Sequence, residues 1–259
     1  MVKMKVLMIG DVVAGVGCEF VARHLRAVKS KYGVDVVVAN GENSADGNGI
    51  TPQSAQALLD AGVDVLTTGN HVLRRREVYE LLEDPAWPIV RPANYPDAVP
   101  GRGFLIHDMG SRSLAVVNLM GTVYLDSLDC PFRTVDRILE RIETNCILVD
   151  FHAEATGEKR AMGFYLDGRV SAVVGTHTHE QTADETILER GTGYISDVGM
   201  TGPVQSVLGV KPELIIKRYL TKMPVRHEIA HGKCSLNGIV ITIDEKTGKT
   251  TEIVRINFA

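Results

Sequence analysis

The sequence lacks paired cysteines. Its 259 residues include four cysteines, Cys18, Cys130, Cys146 and Cys234, and none of them forms a Cys-x-x-Cys pair. Thiolate zinc sites use closely spaced cysteines, and disulfide frameworks are typical of short secreted chains. The cysteine content therefore argues against both classes and indicates reduced thiols, as in a cytoplasmic protein.

The sequence also lacks an excess of positive charge and a long apolar run. Lys and Arg number 28 against 32 Asp and Glu, which gives a net charge of −4. Nucleic-acid-binding domains usually carry a basic surface, so we expect no stable nucleic-acid binding. A membrane-spanning helix needs about 20 apolar residues. The first apolar run ends at Asp11, and this run is too short for a signal-peptide core. We therefore expect a cytoplasmic protein that makes no contact with the membrane.

The hydrophobic content of 44% is enough for one large core, and we expect a single domain over residues 1–259. Apolar runs typical of buried strands alternate with segments of helical periodicity. Thr51-Pro52 begins one helix, with Thr51 as its N-cap. The predicted strands are 5–9, 34–39, 65–68, 104–107, 114–119, 146–151, 171–175, 236–243 and 252–258, and the predicted helices are 18–32, 51–61, 77–82, 132–144, 156–166 and a segment after Pro212. This order predicts an α/β protein with mixed sheets and helices outside them.

Polar side chains follow five of the predicted buried strands. Ligands of α/β sheets bind at the carboxyl ends of the strands, so these side chains would converge if the strands are parallel neighbours. They are Asp11, Glu42, Asn43, Asn70, His71, His152, His177 and His179. A single histidine or asparagine at a strand end is more often structural, but five such strand ends indicate a site. The histidines outside this pattern are interpreted as structural: His24, His107, His227 and His231.

These residue types suit a metal better than an organic cofactor. Imidazole and carboxylate groups bind iron, manganese or zinc, and no thiolate accompanies them here. Six or seven ligands exceed the four that a tetrahedral zinc ion takes. They are enough for two ions about 3.5–4 Å apart, which bind a phosphate and lower the pKa of bound water. The pattern therefore predicts a dinuclear metal centre that hydrolyses a phosphate ester.

The glycine-rich turn at 10–17, GDVVAGVG, raises the alternative of a nucleotide-binding module. A dinucleotide fingerprint from Gly15 and Gly17 would need a small residue where Phe20 stands. A Walker A loop from Gly10 would need Lys followed by Ser or Thr, where the chain has Val16-Gly17. Both templates fail, and we interpret the glycines as a tight turn between strand and helix.

Two motifs in this set resemble the calcineurin-like metallophosphoesterase pattern: Gly-Asn-His at 69–71 and Gly-Thr-His-Thr-His at 175–179. Longer segments are similar to the bacterial YmdB-like metallophosphoesterases, a family of 2′,3′-cyclic nucleotide 2′-phosphodiesterases. Among them are ANGENSADGNGIT at 39–51, the run from DFHAEATGEKR to THTHEQTADE at 150–185, and SDVGMTGP at 196–203. The resemblance covers essentially the whole chain.

The resemblance implies a four-layer α/β/β/α sandwich of two mixed sheets. It also implies two metal ions, most often iron, with manganese as a substitute. One ion would be held by Asp11, Glu42, Asn43 and His179, and the other by Glu42, Asn70, His152 and His177, with Glu42 bridging them. In this family His71 would be the general acid rather than a ligand.

The chain departs from the family pattern at three places. An acidic residue is expected shortly after Gly-Asn-His, where Leu73-Arg74-Arg75 stands, which leaves open what orients His71. Cys18 stands where the family has arginine, and Gly157 stands where it has serine. The arginine run at 74–76 is interpreted as a solvated helix face, with contact to a substrate phosphate as the alternative.

The predicted reaction is hydrolysis of a small phosphodiester such as a 2′,3′-cyclic nucleotide. A hydroxide between the metals attacks phosphorus in line, and His71 protonates the leaving alkoxide. Two alternatives stay open: a phosphomonoesterase or nucleotidase using the same site, and a mainly regulatory protein with weak phosphodiesterase activity. The expected partner is the small phosphodiester or nucleotide. The proline-rich surface loop at 85–103, which holds Trp87, would cap the cleft or form a homo-oligomer contact.

Overall fold

The computed structural model describes residues 2–259, which form thirteen strands and six helices. The strands are β1 (Lys3–Ile9), β2 (Asp11–Val12), β3 (Val36–Asn40), β4 (Val65–Thr67), β5 (Phe104–Asp108), β6 (Ser113–Met120), β7 (Ile147–His152), β8 (Ala172–Thr176), β9 (Thr186–Ile187), β10 (Gly193–Ile195), β11 (Met200–Pro203), β12 (Cys234–Asp244) and β13 (Thr250–Phe258). The helices are α1 (Ala14–Tyr32), α2 (Pro52–Asp60), α3 (Val78–Glu83), α4 (Pro131–Leu139), α5 (Thr156–Tyr165) and α6 (Pro212–Thr221).

The strands form two mixed sheets. The first has the order β2-β11-β12-β1-β3-β4, with β13 beside β12, and the second has the order β5-β6-β7-β8-β10-β9. Strands β1, β3 and β4 run parallel, as do β6, β7, β8 and β10. The carboxyl ends of the two parallel sets meet, because Asn40 Nδ2 at the end of β3 donates to Asp150 Oδ2 in β7 at 3.1 Å. This shared edge is where the candidate residues lie.

Three apolar clusters separate the layers. The first lies between the first sheet and α1, α2 and α3, and includes Leu25. The second lies between the two sheets and includes Val38 and Val174. The third lies between the second sheet and α4 and α5, and includes Val149 and Met162. The predicted four-layer α/β/β/α sandwich of two mixed sheets is therefore confirmed.

The start of α2 agrees with its prediction, whereas the start of α1 does not. Thr51 caps α2, since its side chain accepts the backbone N–H of Ser54. Helix α1 begins at Ala14, so two of the glycines predicted to form the turn, Gly15 and Gly17, lie inside its first turn, whereas Gly10 precedes β2. A Cβ on Gly17 would lie 2.6 Å from the Thr201 carbonyl oxygen. Gly17 therefore permits close contact with β11, and the turn itself is made by Ala14 at φ 55°.

Two other predictions on secondary structure were wrong in extent. The helix predicted over 132–144 ends at Leu139. Beyond it the chain returns to the second sheet, where Thr144 Oγ1 donates to the Ser113 carbonyl at 3.1 Å. Strands β2, β9, β10 and β11 were not predicted, because two to four residues are too few to show a periodicity.

The proline-rich segment at 85–103 is irregular, as predicted, but it is not only a surface loop. Ile89 and Val90 are buried. Leu66 of β4 donates its N–H to the Pro88 carbonyl at 2.8 Å and accepts the N–H of Val90 at 2.9 Å. Trp87 is half-buried and packs against the first apolar cluster. The segment thus continues the first sheet beyond β4.

Helix α1, at 19 residues, is the longest within residues 2–259. Neither α1 nor any other helix in this range has the length and apolar character that crossing a bilayer requires.

Candidate metal centre

The structure brings all eight candidate residues together at the shared edge of the two sheets. Five belong to the first sheet or to the turns after its strands: Asp11 in β2, Glu42 and Asn43 after β3, and Asn70 and His71 after β4. Three belong to the second sheet: His152 at the end of β7, and His177 and His179 after β8. The five strands are therefore not neighbours in one sheet, and the residues converge because two sheets meet.

Glu42 is the carboxylate at the centre of the cluster and is fully buried. Its Oε1 lies 3.2 Å from His152 Nε2 and accepts from Asn43 Nδ2 at 3.1 Å. Its Oε2 accepts the backbone N–H of His71 at 3.0 Å. Asn70 Oδ1 lies 2.9 Å from the same His152 Nε2. Glu42 thus contacts residues of both sheets.

Asp11 is the second fully buried carboxylate of the cluster. Its Oδ2 accepts the backbone N–H of His177 at 3.1 Å. Its Oδ1 makes no hydrogen bond within residues 2–259, and His179 Nε2 lies 3.6 Å from it. A buried carboxylate oxygen without a partner is costly. A cation beside Asp11 Oδ1 would remove that cost.

Three histidines each direct one ring nitrogen toward the centre and bind an oxygen with the other nitrogen. The outer oxygens are Thr176 Oγ1 for His152 Nδ1 (2.9 Å), Glu154 Oε2 for His177 Nε2 (3.1 Å) and the Leu208 carbonyl for His179 Nδ1 (3.2 Å). Such outer hydrogen bonds fix the tautomer and the orientation of histidines that bind metals. The inner nitrogens of His152 and His177 are 3.1 Å apart.

A buried carboxylate that the sequence did not indicate, Asp150, lies behind His152. It accepts from Thr176 Oγ1 at 2.7 Å, from Thr67 Oγ1 at 2.5 Å and from Asn40 Nδ2 at 3.1 Å. Burial raises the pKa of Asp150 to about 6, although the His152 charge opposes this. The only signal in the sequence was an acid inside an otherwise apolar strand.

The charges at the centre shift one another's pKa. Burial would raise the pKa of Glu42, but His152 and His71 hold it well below its usual value. Burial would lower the pKa of His152, but the Glu42 carboxylate raises it to about 9. Burial and the His152 charge together lower the pKa of His177 to about 3. These directions leave a proton on His152, beside the ionised Glu42 carboxylate, and none on the inner nitrogen of His177.

The donor set fits a metal ion. Ligand atoms of Glu42, His152 and His177 all lie within 4.8 Å of one another. Gly69 lies directly against them, because a Cβ there would overlap Glu42 Oε2 and His152 Nε2. Nitrogen and oxygen donors without a thiolate suit iron or manganese. These contacts bring the predicted ligands together, and their roles as ligands stay a prediction.

His71 lies beside the centre with part of its ring exposed. Its Nδ1 is 2.9 Å from Asn43 Oδ1 and 3.3 Å from Glu42 Oε1. An amide oxygen only accepts, so the His71 Nδ1–H donates to Asn43. His71 Nε2 makes no hydrogen bond within residues 2–259. Asn43 therefore orients His71, in place of an acid after Gly-Asn-His.

The other departures from the family pattern are not among the side chains that converge at the centre. The arginine run lies in turns before α3 rather than on a helix face, and Arg75 Nε donates to the Asn48 carbonyl at 3.1 Å. Cys18 is a buried thiol with its Sγ 4.0 Å from the Ser44 carbonyl. Gly157 has open space around its Cα, and nothing in the structure requires a serine there.

A buried ion pair supports the loop that carries His177 and His179. Lys159 Nζ lies 2.7 Å from Asp197 Oδ2, and their side chains are 3% and 1% exposed. Asp197 Oδ2 also accepts the N–H of Thr178 at 3.0 Å and its hydroxyl at 2.7 Å. Both histidines have positive φ, 99° and 65°, a conformation that persists only where the surroundings enforce it. The ion pair and its hydrogen bonds supply that enforcement.

The remaining histidines lie outside the centre. His24 packs between Phe20 and Phe258, with ring centroids 4.4 Å and 5.5 Å away. The others are His107 in the edge strand β5, and His227 and His231 in the segment after α6. Within residues 2–259, none of the four forms a hydrogen bond or an ion pair with a candidate ligand.

Comparison with known proteins identifies the family of the chain. The sequence matches the model of the YmdB-like proteins over residues 7–256. The chain belongs to the YmdB-like protein family. The resemblance that the motifs indicated is therefore confirmed over nearly the whole chain.

Two of the proteins that are similar to this chain are named for an activity, and a third is similar in structure. The 2′,3′-cyclic-nucleotide 2′-phosphodiesterase of Bacillus subtilis (strain 168) is 46% identical over 255 residues, which cover 98% of this chain and 96% of the relative. A crystal structure of a hypothetical protein from Thermus thermophilus superposes with a TM-score of 0.93 at 44% identity, covering 98% and 99% of the two chains. A crystal structure of a novel phosphatase from Mycoplasma pneumoniae has a TM-score of 0.92 at 32% identity, covering 100% and 95%. This YmdB-like chain is therefore a hydrolytic phosphoesterase.

Proposed function

We propose that the protein is a dinuclear-metal phosphodiesterase that hydrolyses small phosphodiesters such as 2′,3′-cyclic nucleotides. The observation that carries this proposal is the position of Glu42, a fully buried carboxylate whose Oε1 lies 3.1 Å from Asn43 Nδ2 and 3.2 Å from His152 Nε2, between the two predicted sets of ligands. A single carboxylate in that position is suited to bridge two ions. The name of the Bacillus subtilis relative supports the same class of substrate.

Two sets of side chains would hold the ions. The first set is Asp11, Glu42, Asn43 and His179, and the second is Glu42, Asn70, His152 and His177. The unpartnered oxygen of Asp11 supports the first set. The inner nitrogens of His152 and His177, 3.1 Å apart, support the second. The chemistry of the donors favours iron, with manganese as a substitute.

Ions in these positions would bind the phosphate oxygens and lower the pKa of a water molecule. The protonated His71 would supply the proton that the leaving oxygen needs. Its Nδ1–H is held by Asn43 Oδ1 at 2.9 Å, so Nε2 is the nitrogen that faces outward and donates. After donation the ring is neutral and regains its proton from solvent. General acid catalysis of this kind contributes about 10²–10⁴-fold to the rate.

Metal analysis combined with a panel of phosphate esters tests the proposal. We expect about two ions per chain, loss of hydrolysis after chelation, and recovery with ferrous iron or manganese. The panel contains 2′,3′-cyclic AMP, bis(p-nitrophenyl) phosphate, p-nitrophenyl phosphate and 5′-AMP. The diesters should have the higher kcat/KM. Faster hydrolysis of 5′-AMP would favour a nucleotidase, and a metal-loaded protein inactive on every ester would favour the regulatory alternative.

We also infer that the protein works in the cytoplasm. All four cysteines are free thiols, and burial raises the pKa of Cys18 and of Cys146 to about 11 each. Unpaired buried thiols are typical of reducing compartments. Cell fractionation followed by immunoblotting tests this location.

A further inference from the structure

Residues 211–228 form an extension of the fold that we call the basic arm. It consists of α6 and the stretch that returns to Glu228. Its two ends are adjacent, since the Lys211 N–H donates to the Glu228 carbonyl at 3.0 Å and the Ala230 N–H donates to the Gly209 carbonyl at 2.9 Å. Only Ile215 of α6 is buried, and it belongs to none of the three apolar clusters. The basic arm is therefore held at its base and otherwise faces solvent.

The residues that flank the basic arm on either side, Leu208 and Ile229, lie beside the candidate metal centre. The Leu208 carbonyl accepts from His179 Nδ1 at 3.2 Å. Gly47, in the loop after Asn43, lies so close to Ile229 that a Cβ would meet its Cδ1 at 2.6 Å. A molecule that lies at the centre and extends beyond it on this side would therefore reach the arm.

The charge of the arm is opposite in sign to that of the whole chain. It contains five Lys and Arg residues and two Glu residues, a net charge of +3 in a chain of net charge −4. Lys211 forms an ion pair with Glu228 at 2.7 Å. The other four cations are exposed, and none lies within ion-pair distance of a carboxylate in residues 2–259: Lys217, Arg218, Lys222 and Arg226. A local concentration of unpaired cations favours an anionic partner.

Large apolar side chains are exposed among these cations. Their exposed fractions are 54% for Ile216, 68% for Tyr219, 80% for Leu220 and 64% for Met223. Lys222 Nζ lies 5.9 Å from the Tyr219 ring centroid. Proteins that bind single-stranded nucleic acid combine cations for the phosphates with aromatic side chains on which bases stack, and Tyr219 is the exposed aromatic ring here. The arm offers both kinds of contact, on α6 and on the stretch that follows it.

We propose that the basic arm binds the chain of a single-stranded RNA whose 3′ end lies at the metal centre. This inference rests on the proposed function, because an RNA ending in a 2′,3′-cyclic phosphate presents the same diester as a cyclic mononucleotide. The upstream phosphates would then pass along α6, which is about 15 Å long. The substrates would therefore include oligonucleotides. The net charge of the whole chain is negative and predicts no stable nucleic-acid binding, because it averages out the positive charge of the arm.

Fluorescence anisotropy with the metal-loaded protein tests the inference. The probe is a 5′-labelled RNA of about ten nucleotides ending in a 2′-O-methyl 3′-phosphate, which contains no terminal diester to hydrolyse. The arm variant combines Lys217→Gln, Arg218→Gln, Lys222→Gln and Arg226→Gln. The control variant removes the same charge from exposed cations that are not gathered together, through Lys3→Gln, Arg26→Gln, Arg133→Gln and Lys246→Gln.

We expect the arm variant to bind the probe at least about tenfold more weakly than the wild type. Each phosphate contact contributes about 0.7 to the slope of log K against log salt for a single strand. The arm variant should therefore lower that slope by up to about 3, whereas the control variant should change it little. Thermal unfolding of both variants shows that neither has lost its fold.

Equal binding by the arm and control variants would overturn the inference. Binding of the wild type to phosphatidylglycerol vesicles, with no binding of the RNA, would also overturn it and assign the arm to a membrane surface. Hydrolysis assays separate this inference from the proposed function. Hydrolysis of the cyclic mononucleotide without RNA binding overturns the RNA site alone. Loss of RNA binding only in the arm variant supports the RNA site even if no ester is hydrolysed.

Discussion

Asn43 Oδ1 accepts a hydrogen bond from His71 Nδ1 at 2.9 Å, and this contact fixes which nitrogen of His71 can act on a substrate. The same amide donates through Nδ2 to Glu42 Oε1 at 3.1 Å. Asn43 therefore connects the proposed general acid to the proposed bridging carboxylate. The orientation of His71 and the geometry of the centre depend on one side chain.

Replacing His71 with alanine should lower kcat without removing metal. The expected loss is about 10²–10⁴-fold, because the leaving oxygen would no longer receive a proton from the protein. Steady-state kinetics and elemental analysis on the same sample measure both quantities. His107→Ala, in the edge strand β5, is the matched control and should behave as wild type. A parallel fall in metal content would identify His71 as a ligand instead.

Glu42→Gln should lose at least one of the two ions. Glutamine keeps the size of the side chain but removes the charge and one strong acceptor, so it cannot bridge two cations as a carboxylate does. Elemental analysis gives the occupancy. Glu245→Gln is the control, because Glu245 pairs with Arg112 far from the centre. Full occupancy in Glu42→Gln would contradict the two-ion assignment.

Glu154 should contribute to metal affinity by orienting His177, without itself binding the metal. Its Oε2 lies 3.1 Å from His177 Nε2, and removal of such an outer partner typically lowers metal affinity about 10–100-fold. We expect that loss in Glu154→Ala and a smaller one in Glu154→Gln, whose amide oxygen still accepts. Titration against a competing chelator measures the affinities, with the exposed Glu189→Ala as control. Unchanged affinity in Glu154→Ala would mean that the contact does not orient His177.

Gly69→Ala should abolish metal binding in a folded protein. The added methyl group would occupy the space beside Glu42 Oε2 and His152 Nε2. Gly157→Ala is the control for adding a methyl group at a glycine, since the Cβ at position 157 would meet no neighbour within 4 Å. It lies in the first turn of α5, so alanine should leave stability unchanged or slightly raised. Gly69→Ala should therefore lose its metal, whereas Gly157→Ala should keep its metal content without a fall in its unfolding temperature.

Lys159→Met should destabilise the protein strongly. It removes the cation that is 2.7 Å from Asp197 and leaves that carboxylate buried. Breaking a buried ion pair in this way costs about 3–5 kcal/mol. Urea denaturation measures the free energy of unfolding. The exposed Lys246→Met should change it by no more than about 0.5 kcal/mol, and a similar result for Lys159→Met would show that Asp197 finds other compensation.

The strand-end residues were predictable because each follows an apolar run that is visible in the sequence. Asp11, Glu42 and His152 all follow or end such a run. The division of the strands between two sheets was not visible from the residues, because a parallel strand is apolar on both faces in either sheet. The family resemblance supplied the two-sheet arrangement, and the structure agrees with it.

The groups that hold the candidate ligands in place could not be predicted. Lys159 and Asp197 are 38 residues apart, and Asn40 and Asp150 are 110 apart. Such contacts depend on tertiary structure and leave no local pattern. The start of α1 was predicted wrongly for a related reason. Glycine is needed at position 17 because of the close contact with Thr201 in β11, and not because the chain turns there.

The candidate ligands are divided between the two sheets, so an ion that binds Glu42 together with His152 would cross-link them. Its binding free energy would add to the cohesion of the apolar layer between the sheets. At a free metal concentration of about 100 times Kd, that gain is about 2.7 kcal/mol. In a cell poor in the metal, the protein would therefore be less stable as well as less active. The amount of folded protein would then depend on the metal supply.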